Sequence, residues 1–392
     1  MSAVATPTGL PEPAAKLAQL RAIEESGWGR PFRLFQPHNV AFWVYVLGVG
    51  AGGVTMLRYF GGQAGFYAPA LASGVVLFGV YLVPWILLLR RHNRYTAQPA
   101  GLLATGLVWG GAAAAFWIAL PANTSLLEIW TKVGGTAFAQ DWAAGLTAPV
   151  NEEFGKALGL VLLIGLAPQL VRSAYDGFII GAFIGLGFEV TEDVLYVLNG
   201  AVQAYGTNQI GGALQIFLVR GASGIVSHAL FSAMFCAGLM WVLGRAPGER
   251  RIGRGVLTML AAMVFHFAWD DMAGLGGNLG VLLAVLPFAI GVVELAALFY
   301  VLRHAAQRER VWMHDLLTPE VHAGSLEPPL LDAVSGLRKD RKAYRRQLHS
   351  RSRARHRIEA AQDLARELAQ AGGAETRRVT HARAELVRLH RS

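Results

Sequence analysis

Eight apolar runs dominate the sequence, each about as long as a helix that crosses a hydrocarbon core of ~30 Å. They lie at roughly 39–58, 66–89, 100–120, 152–171, 177–199, 215–244, 255–273 and 279–302. The expected fold class is therefore all-α, a polytopic membrane protein of about eight transmembrane helices. Composition agrees: of 392 residues, 54% are hydrophobic and 16% charged, outside the range of an ordinary soluble protein. Stretches such as GLVWGGAAAAFWIAL and GAFIGLG are rich in small residues, which in lipid allow helices to approach closely. Cys236 is the single cysteine and lies in an apolar run, which excludes a disulfide framework or a cysteine-rich metal site. The first forty residues lack the apolar core of a signal peptide, so the first span is the expected anchor. The sixth run is longer than one span needs, and its membrane part is expected to begin near Arg220, which can snorkel.

Lys and Arg are retained on the cytoplasmic side of a membrane. Basic clusters occur before the first span (Arg21, Arg30, Arg33), after the second (RRHNR, 90–94), after the fourth (Arg172), after the sixth (RAPGERRIGR, 245–254) and after the eighth (Arg303). The intervening loops GGQAG (61–65), NGAVQAYGTNQIGG (199–212) and DMAGLGGN (271–278) carry none. This alternation predicts a multi-pass protein of the plasma membrane with both termini cytoplasmic. The expected organisation is a cytoplasmic N-terminal segment (1–38), a transmembrane domain (39–302) and a basic cytoplasmic tail (303–392). The outer segment 122–150, with Leu126, Leu127, Ile129 and Trp130 beside Glu128 and Lys132, suits an interfacial helix or re-entrant piece. A plain ordered loop is the other reading.

From residue 303 onward, 19 Lys and Arg stand against 11 Asp and Glu, a balance of +8 within the chain's +9. The stretch 336–371 reads as a basic helix leading into an amphipathic one. Attraction to anionic lipids is the expected role; nucleic acid is not an expected partner, because no base-reading fold accompanies the charge.

Charged residues inside spans are costly and mark sites. Here they gather in four successive spans: Glu152, Glu153 and Lys156 after Asn151; Glu189, Glu192, Asp193 and Tyr196; Arg220, His228 and Ser232; His266, Asp270 and Asp271. Glu152 and Lys156 are i, i+4; Glu189, Glu192, Asp193 and Tyr196 run i, i+3, i+4, i+7; His228 and Ser232, and His266 and Asp270, are i, i+4, so each of these sets shares a helix face. The alternation above puts all four in the outer leaflet half, with His228 about 13 Å and His266 about 10 Å deep. Carboxylates facing imidazoles in a low-dielectric pocket suit general acid/base chemistry or a metal-bound water. Proton- or ion-coupled transport is the rival reading, although no inverted repeat is visible; an inactive membrane scaffold is a third. Glu294, deep in the eighth span, does not join this group.

The ordered blocks N-E-E-x-x-K (Asn151 to Lys156), G-x-G-F-x-x-x-E-x-x-x-Y (Gly185 to Tyr196), Arg220 with H-x-x-x-S (His228, Ser232) and H-x-x-x-D (His266, Asp270) resemble the PrsW family of glutamic-type intramembrane proteases. That family is related to the CAAX prenyl endopeptidases and Abi proteins. The resemblance covers about residues 150–300, the expected catalytic core. The chain departs from the common pattern G-F-A-x-x-E-N with Glu189 in place of Ala and Asp193 in place of Asn, and it has Asp270 where Asn is frequent. The resemblance implies an endopeptidase that cuts a membrane-associated protein, such as an anti-sigma factor or similar regulator, near the extracytoplasmic face. Glu152 or Glu153 would activate water, His228 and Glu192 would surround it, and His266 with Asp270 would stabilise the oxyanion. Asn151, Lys156, Asp193, Tyr196, Arg220 and Ser232 would support them. No cofactor is certain: zinc on His228, His266 and a carboxylate such as Glu192 would complete a three-ligand site, yet H-E-x-x-H is absent and the reading leans to metal-free glutamate chemistry.

Overall fold

The computed structural model describes residues 11–224, 227–277, 280–348 and 350–391. Residues 1–10 of the expected N-terminal segment, 225–226 of the sixth run, 278–279 at the start of the eighth, and 349 and 392 of the tail lie outside them. Every regular element among the described residues is helical. In chain order these are α1 (Glu12–Ser26), α2 (Val40–His92), α3 (Ala100–Val108), a π-helical stretch (Trp109–Ala119), α4 (Leu120–Leu166), α5 (Ala174–Gln203), α6 (Gln209–Ser223), α7 (His228–Leu243), α8 (Ile252–Asp270), α9 (Met272–Gly276), α10 (Gly280–His322), α11 (Pro328–Ser335), α12 (Arg338–Gln347), α13 (Arg351–Gln370) and α14 (Arg377–Arg391). Among the described residues, four helical stretches are long and apolar enough to cross a membrane: Val40–His92, Ala100–Leu166, Ile252–Asp270 and Val285–His322. The protein is thus a multi-pass membrane protein.

The chain divides into two compact units. The larger comprises Phe32–Arg94 and Gln98–Ala305. Within it, α2 bends at Tyr67, just before Pro69, whose ring and missing N–H disrupt a helix. Before the bend Tyr45 donates to Thr105 O and Tyr59 to Asn199; after it Tyr81 donates to Glu189, and Tyr175 reaches His92 O. The second half of α2 therefore returns along α5. In α4 the break is Gly135, whose φ of +83° suits glycine alone. On either side of it Asn123 meets Glu152 and Trp130 meets Thr147, so segment 122–150 is a helical turn-back rather than a loop.

The sixth apolar run was expected as one span. It is instead two helices, α6 ending at Ser223 and α7 starting at His228, so His228 opens a helix rather than lying partway along one. The physical reason is visible in the packing of α7. Gly177, Gly181 and Gly185 form a stripe on α5 that lies against α7, and a Cβ at Gly185 would stand 2.2 Å from His228 O. At Gly181 it would stand 2.4 Å from Ser232 O. Backbone meets backbone there, as small-residue stripes allow, and α7 is seated by this contact and not by continuity with α6.

The second unit comprises the described residues of Met1–Pro31, Tyr95–Ala97 and Ala306–Ser392. Here α1 is built into the C-terminal region: Gln19 donates to Leu316 O at 2.7 Å, and Glu25 accepts from Arg308 and from the Trp312 indole at 2.5 and 3.0 Å. Arg383 bridges Glu320 and Glu375, and Arg357 pairs with Glu327 at 2.6 Å.

Candidate active site

Five helices of the larger unit, α4 to α8, deliver the polar residues to one place. From α4, Glu152, Glu153 and Lys156 are all buried, Lys156 completely. Pro149, three residues before Glu152, cannot donate to the preceding turn. Close by, the Gly145 amide donates to Asp271 Oδ1 at 2.8 Å, which fixes the C-terminal end of α8 against α4. Trp142 stacks on Phe267 beside it, centroids 6.3 Å apart.

Lys156 is the centre of the cluster. Its Nζ donates to Glu153 Oε1 at 2.9 Å, to Glu152 Oε2 at 3.3 Å and to His228 Nδ1 at 3.0 Å, and lies over the Phe188 ring. An ammonium has only donors, so Nδ1 of His228 accepts and its proton sits on Nε2. That nitrogen faces Glu192 Oε2 at 2.9 Å. The same carboxylate oxygen accepts from Arg220 Nη2 at 2.8 Å, while Arg220 Nε engages Asp193 and the guanidinium lies 3.9 Å from the Tyr196 ring centre. Glu153 Oε2 accepts from Ser232 at 2.9 Å, so both oxygens of Glu153 are engaged. Glu152 Oε1 accepts from Asn123, which also accepts from Asn151 at 3.1 Å.

His266 is fully buried and stacks on Phe231 with centroids 4.9 Å apart. Neither of its ring nitrogens has a hydrogen-bond partner among the described residues, although Nε2 lies 3.6 Å from Glu152 Oε2 and 3.4 Å from Asp270 Oδ2, and Nδ1 lies 3.3 Å from Glu153 Oε1. Glu152 Oε2 is also 3.5 Å from His228 Nδ1. One donor atom each from Glu152, His228 and His266 falls within 4.8 Å of the other two. Two imidazoles and a carboxylate at that separation, one ring having both nitrogens unpartnered, form a donor set that could hold a metal ion with an open position.

All the residues singled out in the four motif blocks thus lie in this network, with Tyr196 at its half-exposed rim. Glu192 is not one of the three converging donors; it serves His228 and Arg220 instead. The sequence reading missed Asn123, of the stretch Ala100–Leu166, and Tyr81, of Val40–His92, uncharged residues that bond Glu152 and Glu189. Tyr81 was a lone phenol in an apolar run, and Asn123 the first of three adjacent polar residues, Asn123 to Ser125, in the outer segment. Glu294 is fully buried on α10 with no hydrogen-bond partner for either oxygen among the described residues, and nothing in the structure explains it.

A family model described as PrsW family intramembrane metalloprotease matches residues 98–301. No curated protein and no solved structure gives a match.

Proposed function

Because the chain belongs to the PrsW family of intramembrane metalloproteases, we propose that the buried cluster hydrolyses a peptide bond of a membrane-protein substrate with Glu152 as the carboxylate that activates water. The observation that carries this reading is the position of Glu152 Oε2, 3.5 Å from His228 Nδ1 and 3.6 Å from His266 Nε2. A water held against that oxygen meets two imidazoles away from bulk solvent, where a positioned general base contributes roughly 10²–10⁴ in rate. Glu153 suits a supporting part: Lys156 and Ser232 hold its two oxygens at 2.9 Å each, whereas the Lys156 contact with Glu152 Oε2 is longer, at 3.3 Å. Lys156 balances the two carboxylates. Glu192 orients His228 by accepting from Nε2–H, as carboxylates do for working imidazoles. His266 donates to the oxyanion that forms on the scissile carbonyl, and Asp270, 3.4 Å from its Nε2, orients the ring.

The family description favours a second version, in which Glu152, His228 and His266 hold zinc. When bound, zinc would polarise the carbonyl and ease deprotonation of the attacking water. Asp270, whose Oδ2 has no hydrogen-bond partner among the described residues, would then be the carboxylate placed to take the proton. The contact of Lys156 with Glu152 and His228 Nδ1 favours the metal-free version, because it uses lone pairs that zinc would need.

The alternation of basic and uncharged loops supports cleavage near the extracytoplasmic face with both termini inside the cell. An anti-sigma factor or similar membrane-bound regulator is the substrate class the resemblance implies. Arg338, Lys339, Lys342, Arg345, Arg346 and Arg351 are exposed on α12 and the start of α13, which supports contact with anionic lipids.

The test uses the full-length protein in nanodiscs with quenched-fluorescent single-span peptides. The wild type is expected to cleave, and Glu152→Gln to be at least about 100-fold slower while still folding, as judged by a cooperative melt. Wild-type rates in Glu152→Gln would overturn the assignment. Activity that survives exhaustive chelation supports the metal-free version; loss restored by zinc supports the other.

A further inference from the structure

Helix α7 begins inside the protein, and the residue at its start is His228. Amides in the first turn of a helix have no partner within it, and one that begins away from water must find an acceptor elsewhere. The usual local solution fails here. Ser227 occupies the capping position but makes no side-chain bond to the turn, and its hydroxyl donates back to Gly224 O at 3.3 Å.

Glu189 supplies the acceptor from another helix. Its Oε2 accepts from the Ala229 amide at 3.4 Å, 40 positions further along the chain, while its Oε1 accepts from the Tyr81 hydroxyl of α2 at 3.0 Å. Glu189 is 1% exposed, and Gly224 passes so closely that a Cβ there would stand 2.8 Å from Glu189 Oε1 and 3.0 Å from the Tyr81 hydroxyl. Three elements therefore converge on one carboxyl, and a carboxylate at a helix N-terminus is also favoured by the helix dipole.

The same face of α5 then holds His228 twice. Glu189 fixes the backbone directly after it, and Glu192, three residues on, holds its ring at Nε2, 2.9 Å away. We infer that Glu189, braced by Tyr81, is a positioning residue for His228: it caps α7 from α5 and sets the backbone from which the imidazole reaches Lys156 and Glu152. The inference rests on His228 being part of the working site.

The test uses the full-length protein in nanodiscs, with amide hydrogen exchange read at Ala229 and cleavage kinetics on the same single-span peptides. Glu189→Ala should speed exchange at Ala229 about tenfold, the loss expected of a helix cap, while Ser232 to Leu243 exchange as in the wild type. It should lower kcat about tenfold with KM within about twofold. Glu189→Gln keeps an acceptor and should restore most of both; Tyr81→Phe should fall between. Wild-type exchange at Ala229 in Glu189→Ala overturns the inference. So does a uniform rise along α7 that Glu189→Gln does not rescue, since that marks general loosening. Absence of cleavage by the wild type removes the protease reading, while the exchange measurement still decides the cap.

Discussion

Lys156 has no exposed surface and stands within hydrogen-bonding reach of Glu152, Glu153 and His228. Removing one partner of such a buried set strands the charge of the others, at a cost of about 3–5 kcal/mol. Lys156→Met should therefore lower the melting temperature sharply, and the double variant Lys156→Met, Glu153→Gln should regain part of it, because one stranded carboxylate is gone. Equal melting temperatures for wild type and Lys156→Met would show that the ammonium does not carry this charge balance. Ser232→Ala takes the donor from Glu153 Oε2 and should cost about 1–3 kcal/mol, read by the same melt. At this scale the sequence was informative for the charged residues of the four motif blocks, because charge inside an apolar run has few explanations, but not for Glu294. Asn123 and Tyr81 were not legible: an amide or a phenol in a span is compatible with many packings, and only the fold turns them toward Glu152 and Glu189.

Among the elements, α5 and α7 show both what a pattern foretells and what it conceals. The glycines of GAFIGLG were read as a close-approach surface, and Gly181 and Gly185 do lie against the α7 backbone. Gly185→Ala would drive a methyl group to 2.2 Å from His228 O, an overpacking expected to cost about 1–3 kcal/mol. It should also displace His228, so cleavage should fall further than the melting temperature alone explains; a variant with unchanged rate and stability would refute the packing role. The break between α6 and α7 was not legible, because Gly221, Ser223, Gly224 and Ser227 read equally well as small residues for packing within one long span. The capping that decides between the two comes from Glu189, distant in sequence. Likewise the turn at Gly135 hid in segment 122–150, where mixed polarity fits an interfacial helix or a loop as well as the helical turn-back that is observed.

For the whole molecule, hydropathy and the distribution of Lys and Arg gave the class and a sidedness, while the grouping of α1 with the C-terminal helices had no signal in either, since it depends on contacts such as Gln19 with Leu316. Sidedness is directly testable, because Cys236 is fully buried. Gln63→Cys should react with an impermeant maleimide added outside intact cells, whereas Pro247→Cys, exposed in the basic loop after α7, should react only after the membrane is opened. The reverse pattern would invert the topology and move the site to the cytoplasmic half. The central claim, however, is that residues from separate helices form a single working site, and a double-mutant comparison of cleavage rates addresses it most directly. Groups that act as a unit lose their effect together. With Glu152→Gln and His266→Ala, each folded as judged by melting, the double variant is predicted to cleave within about threefold of the slower single variant. Rate losses that multiply in the double variant would mean that the two residues act independently, and would contradict the account.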